Sequence, residues 1–475
     1  MPAPVEFQAV ILASVSDGDG LFPLTDDLPT ALLPVANRPL LSFQLELLAR
    51  SGSFSQVLVL TIERWLPQLS TWISEHYKPP EGQRKLAVEL LVVPDDAGSA
   101  DSLRHIRSKL TTDFVLLAGD VISDVPFQRM ADLHRLQGAA VTALFRESPP
   151  REKDVAKKAK DLDGIDFVGL DEKGTRILSL EAAADCDSGV VTVSQSMLRA
   201  YPHVALRTDL VDAHVYLLAH WVLDVLEQKP HFSSAKFELL PYLVRKQFLS
   251  KSSLPESTVR HSQRDSTGSA GSAPSPANAA KGGGGADLPK SASALAMSAG
   301  KGSRQKVSLA SAAEFRCSCY LLPHSGAYCM RASTLKEYMQ SNLDVSRESR
   351  VTLYEKAEVS PLAPEVKEGN YVLKSCDRDS TVGEAVEVGG RTVIKKSSIG
   401  PHCRIGSGVK ITNCIIMDHV VIGDKVNMQN SIVCGNAEVK EGASLKDAQV
   451  AAGVTVEAGA VHKSEAVTAD DQDED

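Results

Sequence analysis

The sequence predicts an α/β, doubly wound (Rossmann-like) domain followed by a C-terminal left-handed parallel β-helix of hexapeptide repeats. Two patterns carry that prediction. Between Phe7 and Phe248 short apolar runs alternate with segments of helical period, and from Val382 to Val456 aliphatic residues recur every 17 positions. On this reading residues 1–249 form the first domain and 250–305 a linker. Residues 306–378 connect to a β-helix at 379–462, and 463–475 form an acidic tail.

In the first domain Ala9-Val10-Ile11-Leu12, Val57-Leu58-Val59-Leu60 and Phe114-Val115-Leu116-Leu117 are unbroken apolar runs of strand length. Such runs fit strands buried on both faces of a parallel sheet. Leu40 to Leu48 has helical period and stops at Gly52, a residue suited to a helix C-cap. A strand, helix, strand rhythm implies a parallel sheet covered on both faces, with ligands received at the carboxyl ends of its strands. The linker is rich in Ser, Gly, Ala and Pro and includes Lys281-Gly282-Gly283-Gly284-Gly285, so it is expected to be flexible.

The repeat region contains three aliphatic columns. Val388, Ile405, Ile422, Val439 and Val456 form one; Val382, Ile399, Ile416, Val433 and Val450 a second; Ile394, Ile411, Met428 and Leu445 a third. Spacings of about six residues, three to a repeat, are the arithmetic of a triangular coil with one short strand per side. Gly400, Gly406 and Gly423 follow column residues and are expected to turn the corners. His402 and His419 are 17 apart and are expected to stack on neighbouring coils. An acyl-transfer role would use such a His as base, but the pair lacks an evident acyl-donor pocket. An assembly platform, with an aliphatic side contacting another β-helix, is the favoured reading.

With 475 residues, 43% hydrophobic and 23% charged, the chain is ordinarily globular. Its formal net charge of −9 argues against broad affinity for nucleic acid or anionic membrane. It has no basic n-region leading into an apolar stretch and no apolar run of about 18 residues, so a cytoplasmic (cytosolic) protein is expected. Eight cysteines without a framework of spacings suit a reducing compartment. Cys317, Cys319 and Cys329 cluster near His324, but their apolar surroundings favour buried thiols over a zinc site. No metal and no cofactor are expected.

The stretch Ser14 to Thr25, SVSDGDGLFPLT, has the outline of a phosphate-cradling loop, yet the first Lys or Arg of the chain is Arg38. With Leu32-Leu33-Pro34-Val35 and Asn37-Arg38-Pro39, the loop resembles that of the sugar-nucleotide pyrophosphorylases. Those enzymes join a nucleoside triphosphate to a sugar 1-phosphate. The resemblance implies a nucleotidyltransferase-like domain, in which Gly98-Ser99-Ala100-Asp101-Ser102-Leu103 would meet the base and Gly119-Asp120 would lie where magnesium is held. Gly18, Gly20, Ser99 and Asp120 are therefore the candidate residues of a vestigial nucleotide pocket.

The charges of the enzyme pattern are missing. Asp19 and Gly20 stand where the resemblance expects Thr and Arg. Thr30-Ala31 replaces Lys-Pro, and Glu181-Ala182-Ala183 replaces Glu-Lys-Pro. Losing one preorganised charge contact to a reacting phosphate costs on the order of 3 kcal/mol, a hundredfold or more in rate. Asp17 and Asp19 add repulsion, so no catalytic residue is expected and the site is read as degenerate. Asp212 is a candidate second carboxylate, although a local capping role suits it better. His105 and His214 read as satisfied structural histidines. Lys157, Lys158 and Lys160 read as a solvated surface, and Arg245 and Lys246 as solvated or partner-facing.

Two longer stretches, Thr208 to Leu218 and Glu238 to Phe248, resemble the gamma subunits of eukaryotic translation initiation factor 2B, as do Glu6 to Val10 and Ile411 to Cys414. This resemblance implies a subunit of the guanine nucleotide exchange factor that recycles initiation factor 2 from its GDP to its GTP form. The implied partners are the epsilon subunit, the other three subunits and the initiation factor 2 GTPase. Exchange itself belongs to a helical-repeat domain of epsilon. No helical pattern of that size follows the β-helix here, so this chain is expected to support assembly and substrate docking without catalysing exchange. The competing expectation is an active sugar-nucleotide pyrophosphorylase with substituted phosphate ligands.

Overall fold

The computed structural model describes residues 7–14, 20–77, 86–148, 166–183, 192–248, 315–323, 326–346, 376–377 and 379–468. The linker at 250–305, the lysines at 157–160 and the end of the acidic tail lie outside the described residues. The apolar runs form a seven-stranded sheet. In chain order its strands are β1 (Phe7–Leu12), β2 (Phe54–Thr61), β3 (Ala87–Val92), β4 (Phe114–Ala118), β5 (Ala139–Glu147), β6 (Leu210–Leu218) and β7 (Arg316–Leu322). Their spatial order is β7-β5-β6-β4-β1-β2-β3.

Central β1 is buried along its whole length and pairs in parallel with both β2 and β4, placing Val10 opposite Leu58 and Leu116. Alternation along the strands divides the core into two layers. Val10, Leu58 and Leu116 pack into one cluster, while Ile11, Val59 and Leu117 pack into another. The helix Leu40–Ser51 ends at Gly52 in the left-handed conformation, as its sequence implies.

The sheet departs from the expected parallel order at β6, which runs antiparallel to both β4 and β5. An apolar run specifies burial and carries no information on strand direction. A second difference concerns the segment read as a connection. Its residues Arg316–Leu322 form β7, an edge strand parallel to β5, and Cys329–Arg331 pairs antiparallel with Val121–Ser123. The partners of these strands are distant in sequence, which local pattern cannot reveal.

In the β-helix the three columns hold the expected register. Ile405 pairs with Val388 and Ile422, Ile416 with Ile399 and Val433, and Ile411 with Ile394 and Met428. The coil continues through Ala466–Val467, so the last strand reaches into the segment read as tail. Small residues form further inward columns between the aliphatic ones, such as Cys403, Val420, Ala437 and Val454. This packing accounts for Cys403, and His402 and His419 do stack on adjacent coils, with ring centroids 5.0 Å apart.

The corners work differently from the sequence reading. Left-handed residues at 17-residue intervals make the turns, as in the series His402, His419 and Asn436 and the series Asn413, Asn430 and Asp447. Gly400 and Gly406 precede such residues and serve a different need. A Cβ on Gly400 would lie 2.6 Å from the Met417 carbonyl carbon, and one on Gly406 would lie 2.7 Å from that of Gly423. These glycines permit the close approach of successive coils.

One outward side of the prism is apolar, and the chain covers it itself. Ile415, Met417, Ile432 and Cys434 share a buried cluster with Leu21, Leu24, Leu33, Val35, Phe43 and Tyr338. Tyr338 lies on the helix Leu335–Ser346. Its hydroxyl donates to the Pro34 carbonyl, the Asn37 amide donates to the Ile399 carbonyl at 2.9 Å, and the Ala36 N–H donates to Asn342 Oδ1 at 2.9 Å. This apolar side of the β-helix is therefore an intramolecular interface, while Val393, Val421 and Val461 elsewhere on the β-helix stay exposed. No helix among the described residues is long and apolar enough to cross a membrane.

Two outcomes test this core. Ile411 is wholly buried, so Ile411→Ala should lower stability to denaturant by about 2–5 kcal/mol. His134 is buried against Thr142 Oγ1 at 2.9 Å. Burial, with help from the Arg135 charge, lowers its pKa from 6.5 to about 4. The native state holds this ring neutral, so its contribution is full above pH 6.5. It is lost as the pH falls from 6.5 toward about 4, where the native ring also protonates. The loss is roughly 3 kcal/mol, and urea midpoints of the wild type and His134→Asn should converge over that range.

Candidate functional site

A cavity of about 410 Å³ opens at the carboxyl ends of β1 and β4, where Leu12, Ser14, Ala118, Gly119 and Asp120 reach its wall. Ser99 and Asp120, both candidates from the sequence, line it. Ser99 is buried at the start of the helix Ser99–His105, and its Oγ accepts from the Ala235 N–H at 2.8 Å. Gly18 lies outside the described residues. Gly20 is packed against the chain that returns after the linker. A Cβ there would lie 2.4 Å from the Ser333 carbonyl oxygen, and Leu21 and Leu24 beside it enter the cluster that holds the β-helix.

The cations expected of the enzyme pattern are absent from their positions, and Thr30 lines the cavity where a lysine would precede proline. Glu181 is elsewhere, its carboxylate accepting from the Thr192 N–H at 3.2 Å. The structure nevertheless brings three other cations to the wall, Arg64, Lys236 and Arg331. Each has a local partner. Arg64 lies over the Trp65 ring at 4.3 Å, Lys236 Nζ is 3.5 Å from Asp166 Oδ2, and Arg331 pairs with Asp120. Sequence reasoning missed Arg331 because it lies beyond the linker, far from the loop it joins.

The Asp120–Arg331 pair decides what this cavity can hold. Arg331 Nε is 3.2 Å from each Asp120 oxygen, and Nη2 donates to Oδ2 at 2.7 Å. Burial alone would lower the Arg331 pKa. The Asp120 charge and hydrogen bonds, joined by Tyr216 and Asp212, together outweigh burial, and the net shift is upward. Asp212 is also engaged, its carboxylate accepting from the His214 N–H at 2.8 Å and from the Tyr216 hydroxyl. Burial raises the Asp212 pKa against the lowering effect of Lys236. The fold implies magnesium at Asp120, but these residues do not fit it, because both Asp120 oxygens already face a guanidinium.

His214 corrects the expectation of a satisfied histidine. It lines the cavity in the left-handed conformation, at φ 51°, within β6. Only 9% exposed, its Nε2 lacks a hydrogen-bond partner among the described residues. Burial, reinforced by the charges of Arg331 and Lys236, holds the ring neutral well below its ordinary range. His105 is exposed on its helix. The clustered cysteines are packing residues. Burial raises the Cys317 thiol to about 12 and the Cys329 thiol to about 11, and raises Cys319 further. No group of three or more potential metal ligands occurs among the described residues.

A mixed sheet with a cavity at its strand ends, joined to a parallel β-helix, defines a nucleotidyltransferase-like protein with a hexapeptide-repeat domain. Residues 8–154 match the family model "Nucleotidyl transferase", and residues 369–462 match "EIF2B subunit epsilon LbH domain". The chain is 30% identical over 368 residues to "Translation initiation factor eIF2B subunit gamma" of Dictyostelium discoideum, covering 72% of this chain and 75% of that protein. It is 34% identical over 261 residues to the gamma subunit of Schizosaccharomyces pombe, covering 54% of this chain and 55% of that one. The epsilon subunit of S. pombe is 28% identical over 215 residues, 44% of this chain and 30% of its own length. The chain belongs to the family of eIF2B gamma subunits.

Asp120→Ala should leave Arg331 without its counter-charge in a largely buried setting. A loss of up to about 3 kcal/mol is expected, read as a lower urea midpoint with an unchanged slope.

Proposed function

We propose that this chain is a non-catalytic subunit of the guanine nucleotide exchange factor that returns translation initiation factor 2 from its GDP to its GTP form in the cytosol. In this role it pairs with the epsilon subunit, joins the other three subunits and contributes to docking the GTPase. The family membership carries the reading, and the similarity to an epsilon subunit fits a pair built on one plan.

The cavity supports the non-catalytic part. Nucleotidyl transfer needs cations free to meet developing charge on phosphate. Here Arg331 is committed to Asp120 and Lys236 lies beside Asp166. Leu21 and Leu24, at the end of the stretch that outlines a phosphate cradle, pack with Leu33 and Val35 against the β-helix. Gly18, Gly20, Ser99 and Asp120 are on this reading the remains of a nucleotide pocket.

The test is a tagged pull-down of the full chain from its native cytosol. Recovery with four related subunits and the initiation-factor GTPase is expected. Recovery alone or as a homo-oligomer, together with magnesium-dependent nucleotidyl transfer to a sugar 1-phosphate, would overturn the reading.

A further inference from the structure

We propose that Arg331 takes the place of a divalent cation at Asp120, so that the cavity is a metal-free site and Asp120 clamps the segment returning from the linker. This inference goes beyond the assembly role, and its test is independent of which proteins the chain joins.

The placement of Arg331 is built by the backbone. Its strand, Cys329–Arg331, pairs with Val121–Ser123 and sets Arg331 opposite Val121. The following residue, Ala332, donates its N–H to the Asp120 carbonyl at 2.8 Å. Asp120 thus holds the returning segment twice, through its carbonyl oxygen and through its carboxylate. The contacts from Nε to both oxygens and from Nη2 to Oδ2 cover the face of the carboxylate that a cation would share.

Competition favours the arginine. A guanidinium stays charged at any physiological pH, and a tethered partner acts at an effective concentration on the order of millimolar or above. Magnesium gives up its water reluctantly, and the second carboxylate, Asp212, is held by the His214 N–H and the Tyr216 hydroxyl. A cation entering here would need to displace Arg331 and leave it buried beside a like charge.

The same arginine gives the clamp a route to the rest of the fold. Two residues on, the Ser333 carbonyl abuts Gly20. Ser333 Oγ donates to Glu337 Oε2 at 2.7 Å in the first turn of Leu335–Ser346. That helix packs on the β-helix. The position that would hold a metal in a catalytic relative is therefore used to fasten one domain to the other.

The test is a titration of the full chain with Mn²⁺, with free ion followed by electron paramagnetic resonance. Wild type and Asp120→Asn should give the same curve. Arg331→Met should gain one site with a Kd on the order of 1 mM, and the Arg331→Met, Asp120→Asn double variant should lose it. Mn²⁺ should raise the thermal midpoint of Arg331→Met and leave that of wild type in place. A saturable wild-type site weakened tenfold or more by Asp120→Asn would overturn the proposal. So would a folded Arg331→Met chain that gains no Asp120-dependent site. Where Arg331→Met fails to fold, the comparison of wild type with Asp120→Asn decides the matter by itself.

Discussion

The architecture depends on one shared apolar cluster between the helix Leu335–Ser346, the segment Leu21 to Phe43 and the outward side of the β-helix. Tyr338 is fully buried there beside Leu33, Val35, Met417 and Ile432. Burying a side chain of this size contributes on the order of 2 kcal/mol, and the cluster draws residues from three stretches widely separated in sequence. It makes the β-helix and the α/β domain one packed unit. It also positions Arg331, four residues before Leu335, in the wall of the cavity.

That constraint explains why the loop after β1 can keep its outline without its charges. A phosphate loop needs glycine so that backbone can approach a ligand closely. Gly20 is needed for the same steric reason, with the Ser333 carbonyl as the group approached. The hydrophobic residues that flank it are buried against the helix and the β-helix. That packing is apolar and steric, and it places no demand on an arginine or lysine.

Electrostatics in the cavity follow the same logic of internal pairing. Asp120 faces Arg331, Asp166 faces Lys236, and Asp212 is held by backbone and a tyrosine hydroxyl. His214 is kept neutral by burial among these charges. The result is a pocket in which Asp120 and Asp166 each meet a cation of the same chain and Asp212 is satisfied by neutral donors.

Much of this was legible in the chain itself. The 17-residue columns specified the β-helix and its register, because each coil repeats one local geometry and buries the same positions. Apolar runs marked β1, β2 and β4, and Gly52 marked a helix end. The family likeness was carried by Thr208 to Leu218 and Glu238 to Phe248. Ser99 and Asp120, singled out by the resemblance to the sugar-nucleotide pyrophosphorylases, both line the cavity. Only the folded chain placed β7 at the sheet edge, reversed β6, set Arg331 against Asp120 and covered Ile415, Met417 and Ile432 from within. Local pattern records how deeply a residue is buried. Which distant segment buries it, and which charge it meets there, is decided by three-dimensional closure.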